Sequence, residues 1–127
     1  MQRRRLLLAA GAAVFLSACA VQQINPVSST QGVSPAKFKE ILRKCLLARK
    51  WTITDEKPGK TYARFSKNYG KSVAAIIVEY NGDNYKILMD KENTTLIEKD
   101  GKVHRKYNQW VATLDADLQR AIVNSKF

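Results

Sequence analysis

The chain has 127 residues, with 22 Lys and Arg against 11 Asp and Glu, a formal net charge of +11. It carries two cysteines and a single histidine, so a metal site would have to be assembled from distant carboxylates around one imidazole, and none is expected. It has no G-x-x-x-x-G-K phosphate loop, no H-E-x-x-H pair and no serine in a G-x-S-x-G turn, which excludes the commonest nucleotide-binding, zinc-protease and hydrolase arrangements.

At the amino end, Arg3, Arg4 and Arg5 precede an apolar stretch from Leu6 to Leu16, followed by Ser17-Ala18-Cys19. This order of cationic, apolar and small residues is that of a secretory signal. The stretch is too short for a permanent span, since a helix rising about 1.5 Å per residue needs roughly 20 residues to cross a bilayer core. Leu16-Ser17-Ala18-Cys19 resembles the lipobox of bacterial lipoproteins. That resemblance implies a diacylglyceryl thioether on Cys19, cleavage before it, and acylation of the new amino end. Residues 1–18 are then a lipoprotein signal peptide, and the lipid on Cys19 attaches the protein to a membrane. Several acyl chains at about 0.8 kcal/mol per buried methylene make such attachment effectively permanent. Ala20 after the cysteine resembles the sorting pattern of Gram-negative outer-membrane lipoproteins, which implies the periplasmic face of that membrane. Loss of residues 1–18 leaves 19 Lys and Arg against 11 Asp and Glu, a mature charge of +8. A basic protein at a lipid surface is drawn to anionic head groups. Export excludes nucleic acid as the expected partner.

Ala20 to Ser34 has no charge, no sustained period, and turn-forming Pro26 and Gly32, so residues 19–34 read as a lipidated cysteine and flexible tether. Residues 35–127 read as one domain. Ser34 as N-cap and Pro35 at the first helical position open a helix whose stripe is Phe38, Ile41, Leu42, Cys45 and Leu46. Cys45 lies on that stripe as a small hydrophobe, with no disulfide partner once Cys19 carries lipid. Trp51 to Thr54 and Thr61 to Ser66 alternate around Pro58-Gly59, and Ser72 to Tyr80 and Tyr85 to Asp90 flank Asn81-Gly82. An Asn-Gly pair between alternating runs predicts a type I′ hairpin with positive φ at both residues. Asp100-Gly101 predicts a smaller ribbon between Leu96-Ile97 and Val103. Tyr107, Trp110, Val111, Leu114, Leu118, Ala121 and Ile122 predict a second amphipathic helix to about Val123.

The expected fold class is therefore α+β: helix, four-stranded antiparallel meander, short β-ribbon, helix. Both helices cover one sheet face in a two-layer sandwich. The core-facing row is Thr61, Ala63, Phe65, Ala74, Ile76, Val78, Tyr80, Tyr85, Ile87 and Met89. On the opposite parity Val73, Ala75 and Ile77, with Leu88 beside them, form an apolar row that would meet water and is a candidate contact for a protein partner or a second copy.

Residues 103–110, VHRKYNQW, gather the only histidine, a tryptophan and two adjacent cations. His104 has no cysteine or carboxylate at ligand spacing, and Tyr107 and Trp110 continue a helical stripe, which makes them core rather than a ligand platform. Lys102, His104, Arg105 and Lys106 form a cationic rim suited to an anionic head group or a partner's carboxylates. No catalytic residues and no cofactor are expected.

ARKWTITDEKPGKTYARFSK, VEYNGDNYKI and VHRKYNQWVATLDADLQRAI, behind a lipobox and a helix, together resemble a group of small uncharacterised proteobacterial lipoproteins from about Ala36 to Val123. The chain departs from that pattern at Ala75 and Ile77, where more polar outward residues would stand. The resemblance implies location and fold, and no activity. The functional expectation is a membrane-anchored envelope lipoprotein acting as a small non-enzymatic binding or scaffolding module. The alternative is a binder of anionic lipid or polyanion through the basic surface.

Overall fold

The computed structural model describes residues 20–24, 26–67, 69–97 and 100–125. Cys19 and the signal segment lie outside the described residues. The elements in chain order are β1 (Ala20–Val21), β2 (Val27–Ser29), α1 (Pro35–Ala48), β3 (Thr52–Lys57), β4 (Lys60–Lys67), β5 (Ser72–Tyr80), β6 (Asn84–Met89), a 3₁₀ turn (Lys91–Asn93), β7 (Val103–His104) and α2 (Arg105–Asn124). The architecture is α+β, with a five-stranded antiparallel sheet in the order β2-β6-β5-β4-β3 and a separate β1-β7 pair.

α1 begins where the sequence places it. Ser34 is extended and its hydroxyl accepts from the Lys37 amide, which satisfies a backbone donor that the first turn leaves open. The helix ends through Lys50, which takes a left-handed φ of 68° and lets the Trp51 amide donate to the Leu46 carbonyl at 2.9 Å. That reversal delivers Trp51 into the core at the start of β3.

Of residues 19–34, expected as a lipidated cysteine and tether, the described ones, 20–24 and 26–34, are instead built onto the body. β2 adds an edge strand to the meander by pairing Val27 with Lys86, Ser28 with Tyr85 and Ser29 with Asn84. Thr30, fully buried, donates its amide to the Asp83 carbonyl and its hydroxyl to the Gly82 carbonyl. The pairing answers a need of β6, whose outer edge would otherwise present unpaired amides and carbonyls. The hairpin at Asn81-Gly82 also differs from the type I′ expectation, since neither residue has positive φ. The Asn81 side-chain oxygen accepts from the amides of Asp83 and Asn84 at 2.7 and 2.9 Å, and this Asx turn supplies the reversal that left-handed backbone would have supplied. At the β3–β4 turn, by contrast, Gly59 has φ +74° and an added Cβ would lie 3.2 Å from the Tyr80 carbonyl oxygen.

The core lies between the helices and the inner sheet face. Ala63, Ala74, Ile76, Val78, Tyr80, Tyr85, Ile87 and Met89 face Phe38, Ile41, Leu42 and Leu46 of α1 and Tyr107, Val111, Leu114, Leu118 and Ile122 of α2. The Phe38 ring sits 5.0 Å from that of Tyr80 and 4.9 Å from that of Tyr85. Among the described residues no helix is long and apolar enough to cross a membrane.

Candidate functional site: an aromatic notch and a cationic end

The sequence VHRKYNQW divides its residues among three tasks. His104 is the N-cap of α2: its Nδ1 accepts from the Lys106 amide at 3.1 Å, while its own amide donates to the Leu96 carbonyl at 2.8 Å. Tyr107 is fully buried, and among the described residues no partner reaches its hydroxyl. Asn108 clamps the amino-terminal segment, its Oδ1 accepting from the Ile24 amide at 3.0 Å and its Nδ2 donating to the Gln22 carbonyl at 2.7 Å.

Trp110 departs from the core expectation. It is half-buried, and its ring meets Phe65 of β4 edge-on at 4.8 Å between centroids, with Trp51 a further 5.6 Å from Phe65. The three rings line a notch of about 270 Å³ together with Arg49, Lys67 and Thr113. Lys67 Nζ stands 5.9 Å from the Phe65 centroid, a cation over a π face. Arg49 is anchored by Asp117, through Nε to Oδ2 at 2.7 Å and Nη2 to Oδ1 at 3.3 Å. The paired Arg49, aided by Arg120, holds the Asp117 carboxyl below its ordinary range. The notch could not be read from helical spacing because Phe65 and Trp51 reach it from the sheet. The legible signal was the Trp51 that follows α1 and the Phe65 that shares β4's inward parity.

The apolar row of the outer sheet face is largely closed. Val73 and Ala75 are buried, and Ile77 and Leu88, paired across β5 and β6, are half-buried. The cover is the connection after β6. Thr94 Oγ1 accepts from the Ala75 amide and donates to its carbonyl, and the Thr95 amide and hydroxyl bond to Val73 in the same reciprocal way. The chain thereby continues the ladder of β6 past its last residue, so that the expected open row reduces to Ile77 and Leu88.

Lys102, His104, Arg105 and Lys106 are contiguous across β7 and the first turn of α2, with Arg105 and Lys106 exposed. Cys45 is half-buried beside α2, and burial, reinforced by the Asp117 carboxylate, pushes its thiol above the ordinary range, which lowers its thiolate fraction. Among the described residues no group of three or more His, Cys, Asp or Glu could hold a metal ion.

A polar node links β2, β6 and α2. Tyr85 donates its hydroxyl to Asp115 Oδ1 at 2.6 Å and accepts from Gln119 Nε2 at 2.8 Å, and Ser28 Oγ donates to the same carboxylate at 3.3 Å. Burial and the Asp115 carboxylate push the Tyr85 phenol well above its ordinary range. Comparison with protein-family models, curated proteins and solved structures finds no match for this chain.

Proposed function

We propose that this chain is a lipid-anchored protein of the bacterial envelope, held on the periplasmic face of the outer membrane through Cys19, and that it works as a small non-enzymatic binding module. The observation that carries the binding role is the half-open aromatic notch. Phe65 and Trp110, left partly in contact with water beside the buried Trp51 and between Arg49 and Lys67, are arranged to seat a flat apolar group bearing a negative charge. Two further features support a role without chemistry. The only histidine is committed to capping a helix, and the half-buried thiol of Cys45 is held protonated. The address rests on Arg3 to Cys19 and on Ala20.

The two halves of this reading have separate tests. Cys19→Ser should abolish the mobility shift of the lipidated form and release the protein from the membrane fraction; unchanged fractionation and mobility would sink the anchor. Anilinonaphthalene sulfonate, an aromatic anion, should bind the folded protein with quenching of tryptophan emission. Trp110→Ala should remove that binding and Lys67→Glu should weaken it. A Trp110→Ala protein that binds the dye as before would refute the notch as the seat.

A further inference from the structure

We infer that Asn81-Gly82, in the turn between β5 and β6, is a site of spontaneous deamidation in the folded protein, and that its isoaspartate product releases the edge strand β2. The inference is independent of both the anchor and the notch.

The first observation is the pair and its geometry. Deamidation begins when the amide nitrogen of the next residue attacks the asparagine side-chain carbon, and a side chain on that next residue stands in the way. Of the chain's asparagines only Asn81 is followed by glycine, and Asn81, Gly82 and Asp83 are all exposed to water. The Asn81 Oδ1 accepts from the amides of Asp83 and Asn84. An Asx turn of this kind curls the side-chain amide back over the peptide that follows it, which favours attack by that peptide's nitrogen. The two donating amides also stay in place to receive the negative charge that Oδ1 acquires in the tetrahedral intermediate. Among the described residues no backbone acceptor in the turn holds the Gly82 amide.

Water is the only co-reactant. Hydroxide takes the Gly82 amide proton, the nitrogen forms a bond to Asn81 Cγ, and the carbonyl electron pair moves onto Oδ1. Collapse of that intermediate breaks the Cγ–Nδ2 bond, and Nδ2 takes a proton from water and leaves as ammonia, which regenerates the hydroxide and leaves a five-membered succinimide. One water then opens the ring. Cleavage between the nitrogen and Cγ leaves aspartate on an ordinary main chain. Cleavage between the nitrogen and the main-chain carbonyl carbon leaves isoaspartate, whose main chain runs through Cβ and is one methylene longer.

The second observation is what the turn holds. Thr30, fully buried, donates its amide to the Asp83 carbonyl and its hydroxyl to the Gly82 carbonyl, both at 3.0 Å. An added methylene immediately ahead of Gly82 displaces both carbonyls together, so that one buried residue loses both partners at once. Thr30 directly follows Val27–Ser29, and its two bonds fix the end of β2 against the β5–β6 turn. The Asn81 amide bond to the Asn84 carbonyl, which closes the turn, spans the same lengthened link.

The test ages the folded protein at mildly alkaline pH beside the same chain unfolded in urea, and follows both by proteolytic digestion and mass analysis. The folded protein should yield a peptide spanning Asn81 that is heavier by the difference between water and ammonia, in aspartate and isoaspartate forms, at a rate proportional to hydroxide. A folded protein that keeps Asn81 intact while the unfolded chain converts would overturn the site. Gly82→Ala should fold, since Gly82 takes no left-handed φ and an added Cβ meets nothing within 4 Å. Its Cβ hinders the attacking nitrogen, so conversion should slow about tenfold or more; conversion at the parent's rate would refute attack by that nitrogen. Hydrogen exchange reads the consequence for β2. The isoaspartate form should lose protection at the Thr30 amide, whereas Asn81→Asp, with an acceptor oxygen on an unlengthened chain, should keep it. Protection retained in the isoaspartate form, or lost equally in Asn81→Asp, would remove the release of β2 by a lengthened main chain.

Discussion

Two buried phenols give opposite answers to the same substitution. Tyr85 and Tyr107 both lie in the core, but the Tyr85 hydroxyl bonds to Asp115 and Gln119 at 2.6 and 2.8 Å, whereas the Tyr107 hydroxyl has no partner among the described residues. A hydrogen bond to a charged group contributes about 1.5–3 kcal/mol, and a buried polar group left without one costs about 1–3 kcal/mol. Tyr85→Phe should therefore destabilise by roughly 2 kcal/mol, discounted toward the lower bound because Asp115 is only half-buried. Tyr107→Phe removes an unbonded oxygen and keeps the ring, and should stabilise by about 1 kcal/mol. Urea unfolding of both variants at neutral pH reads the difference directly, since the slope, about 1–3 kcal/mol per molar, should be common to them. The phenols also set a pH dependence. Burial raises both above their unfolded value near 10, so the stability they contribute is complete below about pH 10 and lost as pH rises beyond it. Each Phe variant should lose part of that alkaline slope. A Tyr107→Phe protein destabilised by as much as Tyr85→Phe would refute the reasoning and imply that the Tyr107 hydroxyl has an ordered water partner.

Three other outcomes follow from local geometry. Lys50→Gly should stabilise by about 1 kcal/mol, because Lys50 sits at φ 68° where glycine carries no Cβ penalty; thermal melting would register a rise of about 4–8 °C per kcal/mol for a domain of this size. Arg49→Ala should destabilise slightly at neutral pH, since its side chain is half exposed, and the gap from the parent should narrow as pH falls through the lowered range where Asp117 takes up its proton; a gap that does not narrow on acidification would count against the pair. Ala75→Lys should prevent folding, judged by circular dichroism, while Leu88→Lys leaves a folded protein, because the 90–95 connection seals the first position and leaves the second half open.

The sequence made α1, the strands β3 to β6 and most of α2 legible because each carries its own signal: a cap, a period or a turn. Ser34 and Pro35 mark the start of α1, and the parity of Ala74, Ile76 and Val78 assigns the inner face of β5. β2 was not legible, because Val27-Ser28-Ser29 has no apolar alternation and owes its strand conformation to the open edge of β6. The capping role of His104 is not legible in the sequence, because imidazole is not among the usual capping side chains. The aromatic notch needed tertiary information, since Trp51, Phe65 and Trp110 are brought together from β3's start, β4's end and α2. The same holds for Val73 and Ala75, whose parity pointed outward and whose cover is a loop without any period.

The grip of Asn108 on Gln22 and Ile24 spans 84 to 86 residues of chain. Contacts of that separation form after local ones, because the loop they close must first be ordered. Gln22 to Ile24 therefore have no clamp until the last helix exists, and β2 behind them is held on β6 by its own three pairs. Where β2 is loosened, β6 shows a bare edge, the feature of a sheet most prone to pair with a neighbouring molecule. Val27 to Ser29 thus act as a seal on β6, and variants that loosen the segment leading to them, Asn108→Ala among them, should aggregate during refolding well before they lose equilibrium stability.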